Sequence, residues 1–194
     1  MMENEAHIEQ TKITIRKDLR QRLRDLPQES RNDGQIVGKI RRLPQWECSR
    51  QIFAFIPLPS EPDITPLIDL GLEQGKQVLV PVCEENGIMH FTSLDRHWRE
   101  SLKIGKHNIL CPTDEGDRDC GETPLEELSP LILVPGLGYT KGCVRIGRGG
   151  GYYDRYLLTW GEKLFKVGVC HSIQLLENIP VEPYDQLVDT VITD

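Results

Sequence analysis

The feature that most limits what this chain can become is a regular alternation of short apolar runs with longer stretches of helical period. Residues 51–57 (QIFAFIP), 77–81 (QVLVP), 131–136 (LILVPG) and 164–170 (LFKVGVC) read as buried strands. A further strand is expected at 88–94 (IMHFTSL), after the turn residues Glu85-Asn86-Gly87, and a last short one near 187–191. Between them lie amphipathic segments. Residues 8–26 place Ile15, Leu19, Leu23 and Leu26 at helical spacing until Pro27. Residues 30–43 form a second such segment ended by Pro44. Residues 63–75 form a third, with Asp63 or Thr65 able to cap it and Gly71 or Gly75 near its end. Residues 151–161 (GYYDRYLLTWG) put Tyr153, Tyr156 and Leu157 on one face of a fourth. The polar stretch 97–127 has neither period and reads mostly as loop. Strands alternating with helices specify a mostly parallel sheet covered on both faces. With right-handed crossovers this is a three-layer α/β/α sandwich, Rossmann-like, in a single domain spanning 1–194.

Charge and cysteine usage narrow the class. The chain has 23 Lys and Arg against 30 Asp and Glu, a net charge of −7, so binding nucleic acid through bulk charge is not expected. Its 38% apolar content suffices for a core without staples. No apolar run approaches the roughly 18 residues of a membrane span, and the acidic first ten residues lack a signal peptide's apolar region. Six scattered cysteines without a CxxC pair read as reduced thiols. A cytoplasmic monomer without membrane or nucleic-acid partners is the expectation.

In sheets of this kind ligands bind where strands hand over to helices at their carboxyl ends. The best candidate is 134–157, VPGLGYTKGCVRIGRGGGYYDRYL, with seven glycines. Glycines let backbone amides approach an anion, and a helix starting near Tyr152 directs its unpaired N–H groups at the loop. Lys141, Arg145, Arg148 and Arg155 against the single acid Asp154 make a locally positive island in an acidic chain. The stretch fails both GxxxxGK[ST] and GxGxxG, so phosphate binding competes with a flexible surface loop. Asp154 reads either as an acid favoured by the helix dipole or as a Mg²⁺ ligand beside a bound triphosphate. Asp185 and Asp189 read first as solvated or capping acids. Lys12 and Arg16 share a helix face, and Glu61 follows a buried strand; taken alone, the first two are ordinary solvated bases and the last a turn residue. The five histidines show no metal spacing, and the acidic 114–122 segment falls one residue short of a calcium loop.

The same stretch resembles the signature of the 5-formyltetrahydrofolate cyclo-ligase family, also called 5,10-methenyltetrahydrofolate synthetases. That signature runs roughly PGxAFD, a short turn, then RLGxGxGYYDR. The likeness extends to Lys12-x-x-x-Arg16, to the segment around Glu61 and Thr65, and to a tail led by Gln174 and ending IPVEPYDQLVDTVIT. The resemblance implies a three-layer α/β fold and ATP- and Mg²⁺-dependent ring closure of a reduced folate. It implies ATP contacts from Lys12, Arg16 and the run Arg145, Ile146, Gly147, Arg148, Gly149, Gly150, Gly151, Tyr152 and Tyr153. It implies folate contacts from Ile56, Glu61 and residues 148–152, with Glu61 at the pterin. Arg145, Arg148 and Tyr152 would carry the chemistry, and Asp154 and Asp189 would hold Mg²⁺. The chain departs from the signature at Gly138, Tyr139, Thr140 and Cys143. In 107–113 (HNILCPT) it keeps Ile109 and Pro112 but has Cys111 where the family has Glu. Cys111 and Thr140 motivate one alternative, a non-catalytic or regulatory relative that binds a folate or nucleotide; another small ATP-dependent ligase on the same scaffold is a second.

Overall fold

The computed structural model describes residues 2–105, 110–113, 118–119 and 130–194. The strands are β1 (Gln51–Phe53), β2 (Gln77–Cys83), β3 (Met89–Ser93), β4 (Leu102–Ile104), β5 (Leu110–Pro112), β6 (Arg118–Asp119), β7 (Leu131–Pro135), β8 (Gly138–Thr140), β9 (Arg145–Ile146), β10 (Phe165–Val169), β11 (Leu175–Leu176) and β12 (Thr190–Ile192). The helices are α1 (Met2–Asp25), α2 (Asp33–Arg41), α3 (Pro44–Cys48), α4 (Thr65–Glu73) and α5 (Tyr152–Trp160). Among the described residues the central sheet has the order β12-β10-β7-β1-β2-β3-β6. The strands from β12 to β2 are parallel, while β3 and β6 run antiparallel at one edge.

Side-chain alternation builds the three layers. Ile52, Val78, Val80, Leu131, Leu133, Val167 and Val169 face α2, α3 and α4. Their neighbours Phe53, Leu79, Ile132 and Val134 face the opposite way, toward Tyr156 and Leu157 of α5. Fully burying such a side chain contributes about 1.5–3 kcal/mol, so the two faces together hold the sheet between its helices. Helix α1 takes neither face. Its Leu19 and Leu23 pack with Leu137, Ile146 and Ile179 beside the small sheet of order β11-β8-β9.

Several expectations shift. The stretch 97–127 is not all loop: β4 pairs with β5, and β6 extends the main sheet. His107, Ile109, Cys120 and the 114–117 and 120–122 parts of the acidic segment lie outside the described residues. Pro44 begins α3 rather than only ending the preceding helix, because a first-turn proline gives up an N–H that has no helical partner anyway. Asp63 Oδ1 accepts from Thr65 N–H at 2.9 Å, although the capping residue of α4 is Ile64. The final strand starts three residues later than expected, at Thr190.

Candidate active site

Four loops leave the carboxyl edge of the parallel strands, and three of them meet there. After β1 the buried residues 54–56 lead to Pro57 and the turn carrying Ser60 and Glu61; after β2 comes the turn at Glu85–Gly87; after β7 comes the glycine-rich stretch. That stretch first forms the β8–β9 hairpin. Thr140 Oγ1 accepts from Val144 N–H at 3.2 Å, and Cys143 sits in left-handed backbone at φ 65°. The loop 147–151 then enters α5 through Gly149 (φ 106°) and Gly151 (φ 66°), conformations that only glycine adopts without strain.

The arginines of the loop do different work. Arg145 is buried, its Nη2 is 2.6 Å from Asp154 Oδ1, and Nη1 reaches Pro135 O at 3.4 Å. Burial opposes its charge, but the Asp154 carboxylate more than offsets this and holds the guanidinium pKa above its ordinary value. Arg145 Nε and Tyr153 Oη remain buried without hydrogen-bond partners. Arg148 instead reaches across to the β1 loop, meeting Glu61 Oε1 at 3.0 Å and Ser60 Oγ at 2.9 Å. Glu61 Oε2 in turn accepts from Leu58 N–H at 3.0 Å. Tyr152 Oη donates to Glu84 O at 3.4 Å.

Helix α1 borders the loop. Arg16 Nε donates to Gly147 O at 3.2 Å. Lys12, one turn earlier, is buried, with Nζ 2.6 Å from Glu182 and 2.5 Å from Asp185. Burial disfavours its ammonium, and the carboxylates of Asp185 and Glu182 reverse the balance, so its pKa is raised. Hydrogen bonds from Lys12 and Tyr184 hold Glu182 low, and the Tyr184 hydroxyl is pushed up to about 12 by Glu182. Asp185 is thus an ion-pair partner rather than a solvated acid, and Lys12 spends its charge on the tail. Glu182 carries no local sign of this role, because the pairing spans 170 residues. Ile146, 2% exposed, packs against α1, and Ile56, 8% exposed, belongs to the core under the β1 loop.

The comparisons bear on this arrangement. The model of the 5-formyltetrahydrofolate cyclo-ligase family matches residues 8–194. The chain belongs to that family. It is 32% identical to the 5-formyltetrahydrofolate cyclo-ligase of Escherichia coli K12, over 90% of this chain and 96% of that one. It is 31% identical to the enzyme of the same name from Mycolicibacterium smegmatis, over 94% and 93%. Among solved structures it is similar to the 5,10-methenyltetrahydrofolate synthetase of Aquifex aeolicus, with a TM-score of 0.74, 28% identity and coverage of 94% and 89%.

Within the cyclo-ligase frame most departures from the signature find a place. Tyr139 is fully buried, its ring within 3 Å of where side chains on Gly136 and Gly168 would begin, and its hydroxyl donates to Val134 O at 2.6 Å. A side chain at Gly138 would meet Leu19 Cδ1 at 2.7 Å, so the glycine lets α1 approach closely. Thr140 supplies the turn acceptor that an aspartate would supply. Cys111 is buried on β5.

The residues fit ATP and Mg²⁺ unequally. Unpartnered donors at Arg145 and Tyr153, together with the glycine loop, suit a polyphosphate. Among the described residues no group of three or more His, Cys, Asp and Glu side chains converges, so Mg²⁺ fits only with phosphates as most of its ligands. Asp154, partly exposed at the carboxyl edge, is placed for that, with Oδ1 already shared between Arg145 and Gln186 N–H. Asp189 precedes β12 at the opposite edge, where its Oδ2 accepts from Lys166 N–H at 2.7 Å and lies 3.1 Å from the Lys166 ammonium. The expected pairing of Asp154 with Asp189 is not what these contacts show; each carboxylate faces a different base.

Proposed function

We propose that the chain is an ATP- and Mg²⁺-dependent ligase that closes 5-formyltetrahydrofolate to 5,10-methenyltetrahydrofolate, acting as a cytoplasmic, single-domain monomer. The observation that carries this reading is the Arg148–Glu61 contact, which joins the segment expected to hold ATP to the residue expected to hold the pterin.

The formyl group on N5 is an amide and a poor electrophile. Its oxygen attacks the γ-phosphorus, the bond to the β-phosphate oxygen breaks, and ADP leaves. N10 then attacks the activated formyl carbon, the carbon–oxygen bond breaks to release phosphate, and the N10 proton is lost. No protein nucleophile is needed; the chain positions the groups and neutralises charge. Mg²⁺ would neutralise charge on the transferring phosphates, held on the protein side by Asp154; Asp189, at the opposite edge beside Lys166, takes no part. Arg16, Arg148 and the loop amides hold the phosphates. Arg145, Tyr153 and Tyr152 line the same end, Arg145 keeping Asp154 in place. Lys12 serves by fixing α1 to the tail, and Ile56 by backing the β1 loop beneath the folate.

Arg148 gives the two sites a shared element. A phosphate that draws its guanidinium away frees Glu61 Oε1 to accept from the pterin's amino and ring N–H groups. Thr140 acts inside the fold as a turn acceptor, so it gives no support to a non-catalytic relative. Incubation with 5-formyltetrahydrofolate, ATP and Mg²⁺ tests the assignment by the absorbance of the methenyl product and the ADP formed. Both products in equal amounts are expected. ADP alone points to another ligase, and neither product to a binding protein.

A further inference from the structure

Two successive carbonyls of the glycine loop are taken by one helix. Arg16 Nε donates to Gly147 O at 3.2 Å, and Arg20 Nη2, one turn further along α1, donates to Arg148 O at 3.1 Å. From the other side Arg155 Nη2 donates to Gly150 O at 2.6 Å, while its Nε donates to Gly87 O at 3.0 Å. A trans peptide unit is planar and carries its C=O and the following N–H on opposite sides. Drawing the carbonyls of Gly147 and Arg148 toward α1 therefore turns the amides of Arg148 and Gly149 away from it. Extended backbone would alternate these directions. Here the sign of φ changes instead, negative at Arg148 and 106° at Gly149, the alternation that gathers successive amides into a concave anion site. Among the described residues no acceptor takes an amide of 147–151.

We propose that Arg20 is a positioning residue for ATP, aided by Arg155: it holds the 148–149 peptide so that the amide of Gly149, beside that of Arg148 whose peptide Arg16 holds, faces a phosphate. Arg20 touches no phosphate itself and acts through the backbone. The inference rests on the reading of the loop as the ATP site. The residue is separable from the fold, since it is exposed on a helix anchored by Leu19 and Leu23.

The test compares Arg20→Ala, Arg20→Lys and Arg148→Ala in the ring-closure assay, with thermal melting of each. Arg20→Ala is expected to raise KM for ATP about tenfold, as loss of one charge-assisted hydrogen bond implies. KM for folate and the melting temperature stay unchanged, and Arg20→Lys restores most of the ATP affinity. A merely structural role would lower the melting temperature and move both KM values. Unchanged KM for ATP in Arg20→Ala, with Arg148→Ala impaired, overturns the positioning role while leaving the site intact. If neither variant changes KM for ATP, the loop is not the ATP site and both readings fall. Should Arg20→Ala melt early, Arg155→Ala carries the same comparison from the other side of the loop, and unaltered ATP affinity there overturns the proposal.

Discussion

Arg145, on β9, and Arg148, in the loop that follows it, stand three residues apart, and each pairs with a carboxylate, yet they belong to different parts of the machine. Side-chain exposure is 4% for Arg145 and 22% for Asp154, against 39% for Arg148 and 8% for Glu61. In the first pair the Arg145 guanidinium lies where water cannot replace a lost partner, so it holds the strand before the loop to α5. The second leaves its guanidinium in solvent, so the contact is cheap to make and cheap to exchange. A binding loop needs both kinds: a fixed base and a movable one. Residue type and motif do not say which is which; depth does.

The largest expected effect tests the fixed half. Asp154→Leu leaves the buried Arg145 without its partner and should cost about 3–5 kcal/mol, read from urea denaturation. The double variant Arg145→Met/Asp154→Leu should recover much of this, because an apolar pair carries no unpaired charge. Full stability of the single variant would erase the distinction. Asp154→Asn breaks the same pair, so its effect on Mg²⁺ response has to be judged only after stability is matched.

The movable half should behave in the reverse way. Arg148→Ala leaves Glu61 Oε1 without its partner while Oε2 keeps Leu58 N–H, and is expected to cost about 1–2 kcal/mol, less than breaking the fixed pair. Its ATP affinity should fall roughly tenfold or more, the size of one charge-assisted contact. Exchange of Arg148 from Glu61 to phosphate also predicts that saturating ATP analogue tightens folate binding in the wild type. That gain should vanish in Glu61→Gln, where no ion pair has to be opened. Titrations with and without the analogue, read by calorimetry, measure the coupling from either ligand, which must agree. Equal folate affinity in both conditions would leave Arg148 a static contact.

The layers and the loop's place were legible because they follow from local pattern. The apolar runs carried their own period, and the break at Pro135-Gly136 marked where the strongest strand yields to the glycine-rich stretch. The framework role of Lys12 was not legible, since its partners Glu182 and Asp185 arrive from the far end of the chain. The stripe Lys12, Arg16, Arg20 at four-residue spacing was visible on one helix face, but spacing cannot say that the first base is buried and the third reaches a carbonyl. Nor could it separate Arg145 from Arg148. The pairing of β4 with β5, a small sheet of its own, escaped because three-residue strands are too short to show an alternation.

A smaller effect concerns Thr140, whose hydroxyl accepts from Val144 N–H in the hairpin beside this loop. Thr140→Val removes the acceptor and should cost about 1 kcal/mol in denaturation, with Thr140→Asp near neutral. A neutral Thr140→Val would mean that the hairpin, unlike Arg145, contributes little to holding the loop.

The smallest effect sharpens the comparison with a third buried group. His171, 1% exposed, follows β10 at the same edge, with Nε2 3.8 Å from Asp33 and Nδ1 3.9 Å from Asp194. Arg31 also faces it, and neither ring nitrogen has a hydrogen-bond partner. Arg145 keeps its charge because a carboxylate touches it; His171 has none so close, and burial lowers its pKa despite Asp33 and Asp194. A folded pKa below the ordinary 6.5 means that the unfolded chain binds the proton more readily. Stability from this group is therefore complete above about pH 6.5 and is lost as the pH falls through the folded value. His171→Gln should flatten that part of the melting-temperature profile between about pH 7 and 5 while leaving it unchanged above, and ATP affinity at pH 7.5 should not move. An equally steep acid decline in the variant would assign the loss to the carboxylates alone, and the rule that distance to a partner decides charge at this edge would lose its third case.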